Sequence, residues 1–176
     1  MDLGIPVLET PRLILRGHKL EDFEPFVAIR RDPLVDRFLQ GPATRENIWR
    51  RFLGQLVMWA VKGYGTFAVE EKETGEYVGD VGAFDFKRDL PAEYENMPEA
   101  GWTISTRFQR KGYATEAARA ALAWIDVRLG APQLFCIMSP DNAASIRVAE
   151  KCRFKPRGKT IYKGAPTLIF VRDGRR

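Results

Sequence analysis

The sequence predicts an α/β fold with a mixed, mostly antiparallel central sheet of about six to seven strands and about four helices. Three observations predict it. Apolar residues recur at helical spacing in four segments, and β-rich runs bounded by Gly, Pro, Asn or Asp lie between them. With 176 residues, 45% of them hydrophobic, the chain is long enough for one core and short for two, so residues 1–176 are expected to form a single domain.

In chain order, Leu13-Ile14-Leu15 between Arg12 and Arg16 reads as the opening strand. Residues 22–29 and 44–61 carry Phe23, Phe26, Ile48, Phe52 and Leu56 at helical spacings and give two helices. Residues 66–71 and 77–86 flank Thr74-Gly75-Glu76, a hairpin turn composition. Residues 87–98 hold Pro91, Pro98 and several charges, so they form a loop feeding a strand at Glu99-Ala100-Gly101-Trp102-Thr103-Ile104-Ser105. From Tyr113, the positions Ala114, Ala117, Ala118, Ala121, Leu122 and Ile125 define a long helix, closed by Gly130 and Pro132. Residues 134–138 make a buried strand, and Pro140-Asp141-Asn142 starts a helix running through Cys152. Residues 159–162 and 167–171 form a last hairpin around Lys163-Gly164.

Composition removes several kinds of chemistry. Against 23 Asp and Glu, 28 Lys and Arg leave +5, a modest excess that suits an anionic small molecule and requires no nucleic acid. The start Met1-Asp2-Leu3-Gly4-Ile5-Pro6 lacks a basic and apolar leader, and no apolar run approaches the roughly 18 residues of a membrane span. A soluble, cytoplasmic protein is expected. Cys136 and Cys152 read as buried structural thiols, and with His18 the sole histidine neither a zinc site nor a Ser-His-Asp triad has support. No metal is expected, and the chemistry narrows to carboxylates, hydroxyls and a bound cosubstrate.

The informative stretch joins the strand at Trp102-Thr103-Ile104 to the long helix through Gln109-Arg110-Lys111-Gly112-Tyr113-Ala114-Thr115. Backbone N–H groups of a first helical turn lack intrahelical partners, and the helix dipole is positive there, so the turn can bind phosphate oxygens. Gly112 and Ala114 are small enough for close approach, while Arg110 and Lys111 add charge. The loop lacks the Lys-Ser/Thr of a Walker motif and the three glycines of a dinucleotide fingerprint, which disfavours ATP and NAD.

Residues 109–117, Gln-Arg-Lys-Gly-Tyr-Ala-Thr-Glu-Ala, resemble the Q/R-x-x-G-x-G/A acetyl-CoA loop of the GNAT superfamily of N-acetyltransferases. Thr10-Pro11-Arg12-Leu13-Ile14-Leu15-Arg16 is similar to the opening strand of its RimJ/RimL-like branch, which acetylates ribosomal-protein N-termini. Residues 142–151, from Asn142 through Ser145 and Arg147 to Lys151, resemble that branch's second signature. The resemblance implies a GNAT fold splayed at the cofactor strand, with the pantetheine arm of acetyl-CoA pairing along Trp102, Thr103 and Ile104. It also implies that the pyrophosphate meets the N–H groups of Arg110, Lys111, Gly112, Tyr113, Ala114 and Thr115 behind Gln109. Asn142 would approach the pantetheine, Ser145 the thioester sulfur and Arg147 the outer phosphates. The residues alone leave alternatives: Asn142 as a helix cap, Ser145 as a packing residue, Arg147 and Lys151 as a solvated basic face, Trp102 as core. The family's usual glycine before the next phenylalanine is replaced by Arg153, ahead of Phe154, so either the left-handed turn is tolerated or the cap changes.

Acetyl transfer to an amine needs a neutral nucleophile, a stabilised oxyanion and a proton for the departing thiolate. Glu99 opens the cofactor strand, where the resemblance implies a carboxylate that takes the amine proton, and is the first candidate for general base, with a strand-end surface glutamate as the alternative. Ser145 is the candidate general acid, with Tyr162 and Tyr113 in reserve because the resemblance implies a phenol as the commoner donor. A backbone N–H of the strand at 102–104 would meet the oxyanion. The acceptor would lie between the first two helices, the loop around Glu93, Tyr94 and Glu95, and the hairpin at 162–166. Branch resemblance implies a protein N-terminal α-amine, and the alternative is a small amine such as an antibiotic or amino-acid-like metabolite. A monomer or homodimer is expected. From other classes, a non-catalytic CoA-binding module would show no turnover to lose, and an RNA or ribosome binder would show salt-sensitive binding; Arg175-Arg176 is too short a tail to support the latter.

Overall fold

The computed structural model describes residues 4–39, 41 and 43–174; the expectations drawn from Met1 to Leu3 and from Arg175-Arg176 lie outside the described residues. Among the described residues eight strands form one sheet: β1 (Leu8–Glu9), β2 (Leu13–Arg16), β3 (Thr66–Glu71), β4 (Tyr77–Phe84), β5 (Glu99–Ile104), β6 (Leu134–Met138), β7 (Lys155–Tyr162) and β8 (Ala165–Arg172), in the order β1-β2-β3-β4-β5-β6-β8-β7. All neighbours are antiparallel except β5 and β6. The helices are α1 (Phe23–Arg31), α2 (Pro33–Asp36), α3 (Arg45–Lys62), α4 (Tyr113–Leu129) and α5 (Ala143–Lys151).

The mixed sheet and the element order match expectation, with eight strands instead of about six to seven and five helices instead of about four among the described residues. The additions are short. β1 pairs only Leu8 with Leu15 and Glu9 with Ile14. α2 is a single turn started by Pro33, with the Asp32 side chain accepting from the Leu34 N–H at 2.9 Å. β7 begins four residues earlier than its apolar pattern suggests, because Pro156 and a register shift before Gly158 are tolerated on an exposed edge strand.

The longer helices show their boundaries in sequence. Thr44 caps α3 by accepting from the Asn47 N–H, and Gly63 ends it in a left-handed turn at φ 67. Gly130, φ 71, ends α4 the same way. α4 lies over the sheet with Ala117, Ala118, Ala121, Leu122 and Ile125 in the main core, together with Val81, Ala83, Ala100 and Ile104. A smaller cluster of Phe26, Val27, Ile48 and Phe52 joins α1 to α3. Among the described residues no helix is long and apolar enough to cross a membrane.

The feature that positions the site is the asymmetry of β5. On one side it pairs with β4 along its whole length, from Glu99 opposite Phe84 to Ile104 opposite Gly79. A Cβ at Gly79 would stand 2.0 Å from the Thr103 carbonyl oxygen, so the absence of a side chain lets the two backbones approach there. On the other side β5 meets β6 only at Glu99 opposite Phe135. Beyond that pair the two parallel strands separate.

Candidate functional site

The free edge of β5 runs toward the loop that the sequence singled out. A 3-10 turn, Thr106–Phe108, follows β5, and the Gln109 side-chain amide donates to the Ile104 carbonyl at 3.0 Å, tying the loop to the strand end. Arg110 (φ 64) and Gly112 (φ 83) both adopt left-handed backbone, the kind of turn in which successive N–H groups can converge on an anion. The first helical bond of α4 runs from the Glu116 N–H to the Gly112 carbonyl at 3.1 Å. The N–H groups of Tyr113, Ala114 and Thr115 precede it, at the positive end of a 17-residue helix. A diphosphate needs this combination of donors, left-handed turns and an exposed Gly112.

Two residues that the sequence reading passed over hold the loop in place. The Arg12 Nη1 donates to the Lys111 carbonyl at 2.8 Å, its Nη2 stands 2.6 Å from Glu116 Oε2, and its guanidinium lies 4.6 Å over the Tyr113 ring. Glu116 also accepts from the Thr10 hydroxyl at 2.7 Å. Arg12 and Glu116 both stand inside motifs quoted for their family resemblance, the only sequence signal that could have marked them. The Tyr113 hydroxyl donates to Glu71 at 2.5 Å, which holds the Glu71 carboxyl below its usual range and the phenol above its own. Tyr113 thus points into the core, away from the splayed strands, and its reserve role as proton donor finds no geometric support. Lys111 Nζ lies 3.6 Å from the same Glu71, so part of its charge is answered within the protein.

Across the splay, Asn142 caps α5: its side chain accepts from the Ser145 N–H at 3.1 Å. Ser145 is half-buried, and among the described residues no hydrogen bond joins it to Glu99 or Tyr162. Arg147 is exposed on α5. Trp102 is partly buried against the main core, its ring 6.4 Å from Phe154. Arg153 takes the left-handed conformation at φ 69 and completes a Schellman turn, in which the Phe154 N–H donates to the Ala149 carbonyl and the Arg153 N–H to that of Glu150, each at 2.9 Å. The cap geometry is kept without the glycine.

Glu99 sits where β5 and β6 last touch, and it is 4% exposed. Burial pushes its carboxyl above the usual range, against the charge and hydrogen bond of Arg88. Arg88 Nη1 also donates to the Tyr162 hydroxyl at 3.2 Å, and the guanidinium lies 5.4 Å over the Phe86 and Tyr162 rings. A recess leads to this carboxylate, walled by Phe86, Arg88, Tyr94, Met97 and Phe135. The structure therefore brings two sequence-marked residues, Glu99 and Tyr162, together through a third that the sequence did not mark. A buried carboxyl with a raised pKa at the head of an open strand edge is suited to taking a proton from an amine.

Known proteins resemble this chain in sequence and in fold. A family model described as an acetyltransferase (GNAT) domain matches residues 12–155. YkkB of Bacillus subtilis is 38% identical over 116 residues, 63% of this chain and 63% of its own, so the match spans less than two thirds of that relative. The acetyltransferase from Agrobacterium tumefaciens superimposes with a TM-score of 0.82 at 27% identity, covering 97% of this chain and 96% of that one. RimL, a ribosomal alpha-N-protein acetyltransferase in complex with coenzyme A, shares the fold at TM-score 0.76 and 16% identity, over 96% of this chain and 98% of its own.

Proposed function

The chain belongs to the GNAT acetyltransferases, and from that premise we propose that it moves the acetyl group of acetyl-CoA to a primary amine by direct attack within a ternary complex. The observation that carries the reading is the single β5–β6 register pair at Glu99 and Phe135, which leaves an unpaired strand edge leading to the loop at 109–115. Trp102, Thr103 and Ile104 offer that edge to the amides of a pantetheine arm, as a strand added to a sheet. Arg110, Lys111, Gly112, Tyr113, Ala114 and Thr115 offer N–H groups to the pyrophosphate, Gln109 holds their loop to β5, and Arg147 supplies charge for the outer phosphates. Asn142 fixes the start of α5 and with it Ser145 beside the splay. Acetyl-CoA supplies the acyl thioester. Glu99 takes the proton of the attacking amine; Ser145 or Tyr162 gives one to the departing sulfur. The acceptor we favour is a protein N-terminal α-amine, on the branch resemblance of residues 10–16 and 142–151 and the likeness in fold to RimL.

Isothermal titration with acetyl-CoA, beside dephospho-CoA and ATP, tests the cofactor site. Wild type should bind acetyl-CoA at micromolar levels, and Gly112→Asp, which puts a carboxylate in the phosphate loop, should weaken binding at least about tenfold, or 1.4 kcal/mol. Equal affinity in a folded variant would remove the pyrophosphate from this loop. Turnover is then measured on N-terminal peptides against small amines; acetylation of small amines alone would redirect the acceptor.

A further inference from the structure

The guanidinium of Arg88 is held as a bound ligand would be. It donates to the Glu99 carboxylate and, at 3.2 Å, to the Tyr162 hydroxyl. Three aromatic rings face it, Phe86 and Tyr162 at 5.4 Å and Phe84 at 5.9 Å from its central carbon, all inside the roughly 6 Å over which a ring face attracts a cation. Phe84, the last residue of β4, and Phe86, just beyond it, stack on each other at 4.2 Å, while Tyr162 arrives from the end of β7. A carboxylate set among ring faces is a receptor for a cation.

This receptor is filled by the chain itself. Arg88 lies outside regular structure, between β4 and the 3-10 turn at Ala92–Tyr94. Lys87, just before it, takes left-handed backbone at φ 48, the kind of strain that folds hold at functional sites. The segment is fastened on either side: Asp85 pairs with Lys62 of α3 at 2.7 Å, and buried Tyr94 packs on Phe135 with ring centres 5.4 Å apart. With Arg88 in place, the recess beside Glu99 encloses about 10 Å³, room for one water and no amine. Glu99 cannot touch an acceptor until Arg88 leaves it.

We propose that Arg88 holds the acceptor's place: Glu99 with the rings of Phe84, Phe86 and Tyr162 is the subsite for a primary ammonium, and the acceptor enters it by displacing the Arg88 guanidinium. The proposal rests on the reading of Glu99 as the base of an acetyltransferase. An ammonium brings the same charge and its own N–H donors to the same carboxylate and rings, so it competes for a site already shaped around a cation. Residues 86–93 swing outward while Asp85 and Tyr94 stay fastened. Phe86, 45% exposed, marks the side from which the acceptor arrives. Once seated, the ammonium passes one proton to the Glu99 carboxylate, and the neutral amine keeps the lone pair that attack on the thioester carbon requires. The subsite reads the ammonium alone, so the terminal ammonium of a small alkylamine and the α-ammonium of a peptide share it.

Ligand-observed NMR with methylammonium and methylguanidinium tests the subsite without acetyl-CoA, at about pH 8.5, where a carboxylate is ionised and an alkylammonium still charged. Folded Arg88→Ala should bind both cations at least about tenfold more tightly than wild type, and Glu99→Gln added to it should abolish that binding. Propylamine and a peptide with N-terminal alanine are then set in competition with the bound methylammonium, and whichever displaces it is a source of the ammonium. Equal binding by wild type and Arg88→Ala, binding that survives Glu99→Gln, or displacement by neither competitor overturns the proposal. Should Arg88→Ala lose the native circular dichroism spectrum, Arg88→Met, which keeps an unbranched stem without the charge, decides. Acetyl-CoA binding by wild type is a separate titration, so failure of the transferase reading registers there and failure of the subsite registers here.

Discussion

At Glu99 two effects oppose each other. Burial favours the neutral acid and Arg88 favours the carboxylate, and burial wins. In its proposed role as general base Glu99 would work only when deprotonated, so kcat/KM should rise with pH through a limb above the ordinary carboxylate range. Glu99→Gln should abolish that limb and lower kcat by about 10²–10⁴. Arg88→Met removes the cation that favours the charged form and should move the limb to higher pH, with Arg88→Lys restoring part of the shift. Asp85, Lys87 and Glu95 from the loop also line the recess, Cys136 of β6 interacts electrostatically with Glu99 and Tyr162 of β7 is bonded to Arg88, yet the hydrogen bond to the carboxylate comes from Arg88. A pH profile unmoved in Arg88→Met, with the limb still lost in Glu99→Gln, would confine Arg88 to packing. The sequence made Glu99 legible because it opens the strand where the family resemblance implies a carboxylate. Arg88 is 11 residues away and Arg12 is 104 from its partner Glu116, and only the folded sheet brings such charges into contact.

At the scale of elements, turn chemistry was legible at Asn142 and Gly130, which stand at the helix ends expected of them, while the caps of α3, Thr44 and Gly63, carry the same chemistry but were not singled out. Where an element rests on a few local bonds with no repeating pattern, as in β1 and α2, periodicity had nothing to detect. The end of α5 allows a quantitative test. Arg153 occupies a left-handed position that glycine adopts without steric cost, and its Schellman bonds are already made. Arg153→Gly should therefore stabilise the protein by about 1 kcal/mol in urea unfolding, with an unchanged denaturant slope. A loss of stability would mean that the Arg153 side chain contributes more than its backbone strain costs.

For the whole molecule, acid stability should depend on His18. The ring is buried edge-on to Phe26 and Phe52 at 6.2 and 5.8 Å, its Nδ1 has no hydrogen-bond partner, and burial lowers its pKa from 6.5 to about 4. The unfolded chain thus takes up the proton more readily than the native one. His18 is neutral and without penalty above pH 6.5, and stability should drain away as pH falls from there toward 4, by up to about 3 kcal/mol. His18→Phe should flatten that slope; an unchanged slope would place the acid sensitivity in the paired carboxylates. The global arrangement was legible as an ordered series of strands and helices, whereas the neighbour relations of the sheet, with β8 inserted between β6 and β7, depend on contacts far apart in sequence. The parting of β5 from β6 has one more consequence. It is a rip in the middle of the sheet, and open hydrogen-bonding edges recruit any extended peptide that passes. Protein without cosubstrate should therefore retain extended peptide or aggregate more readily than protein held with acetyl-CoA, a difference that light scattering measures.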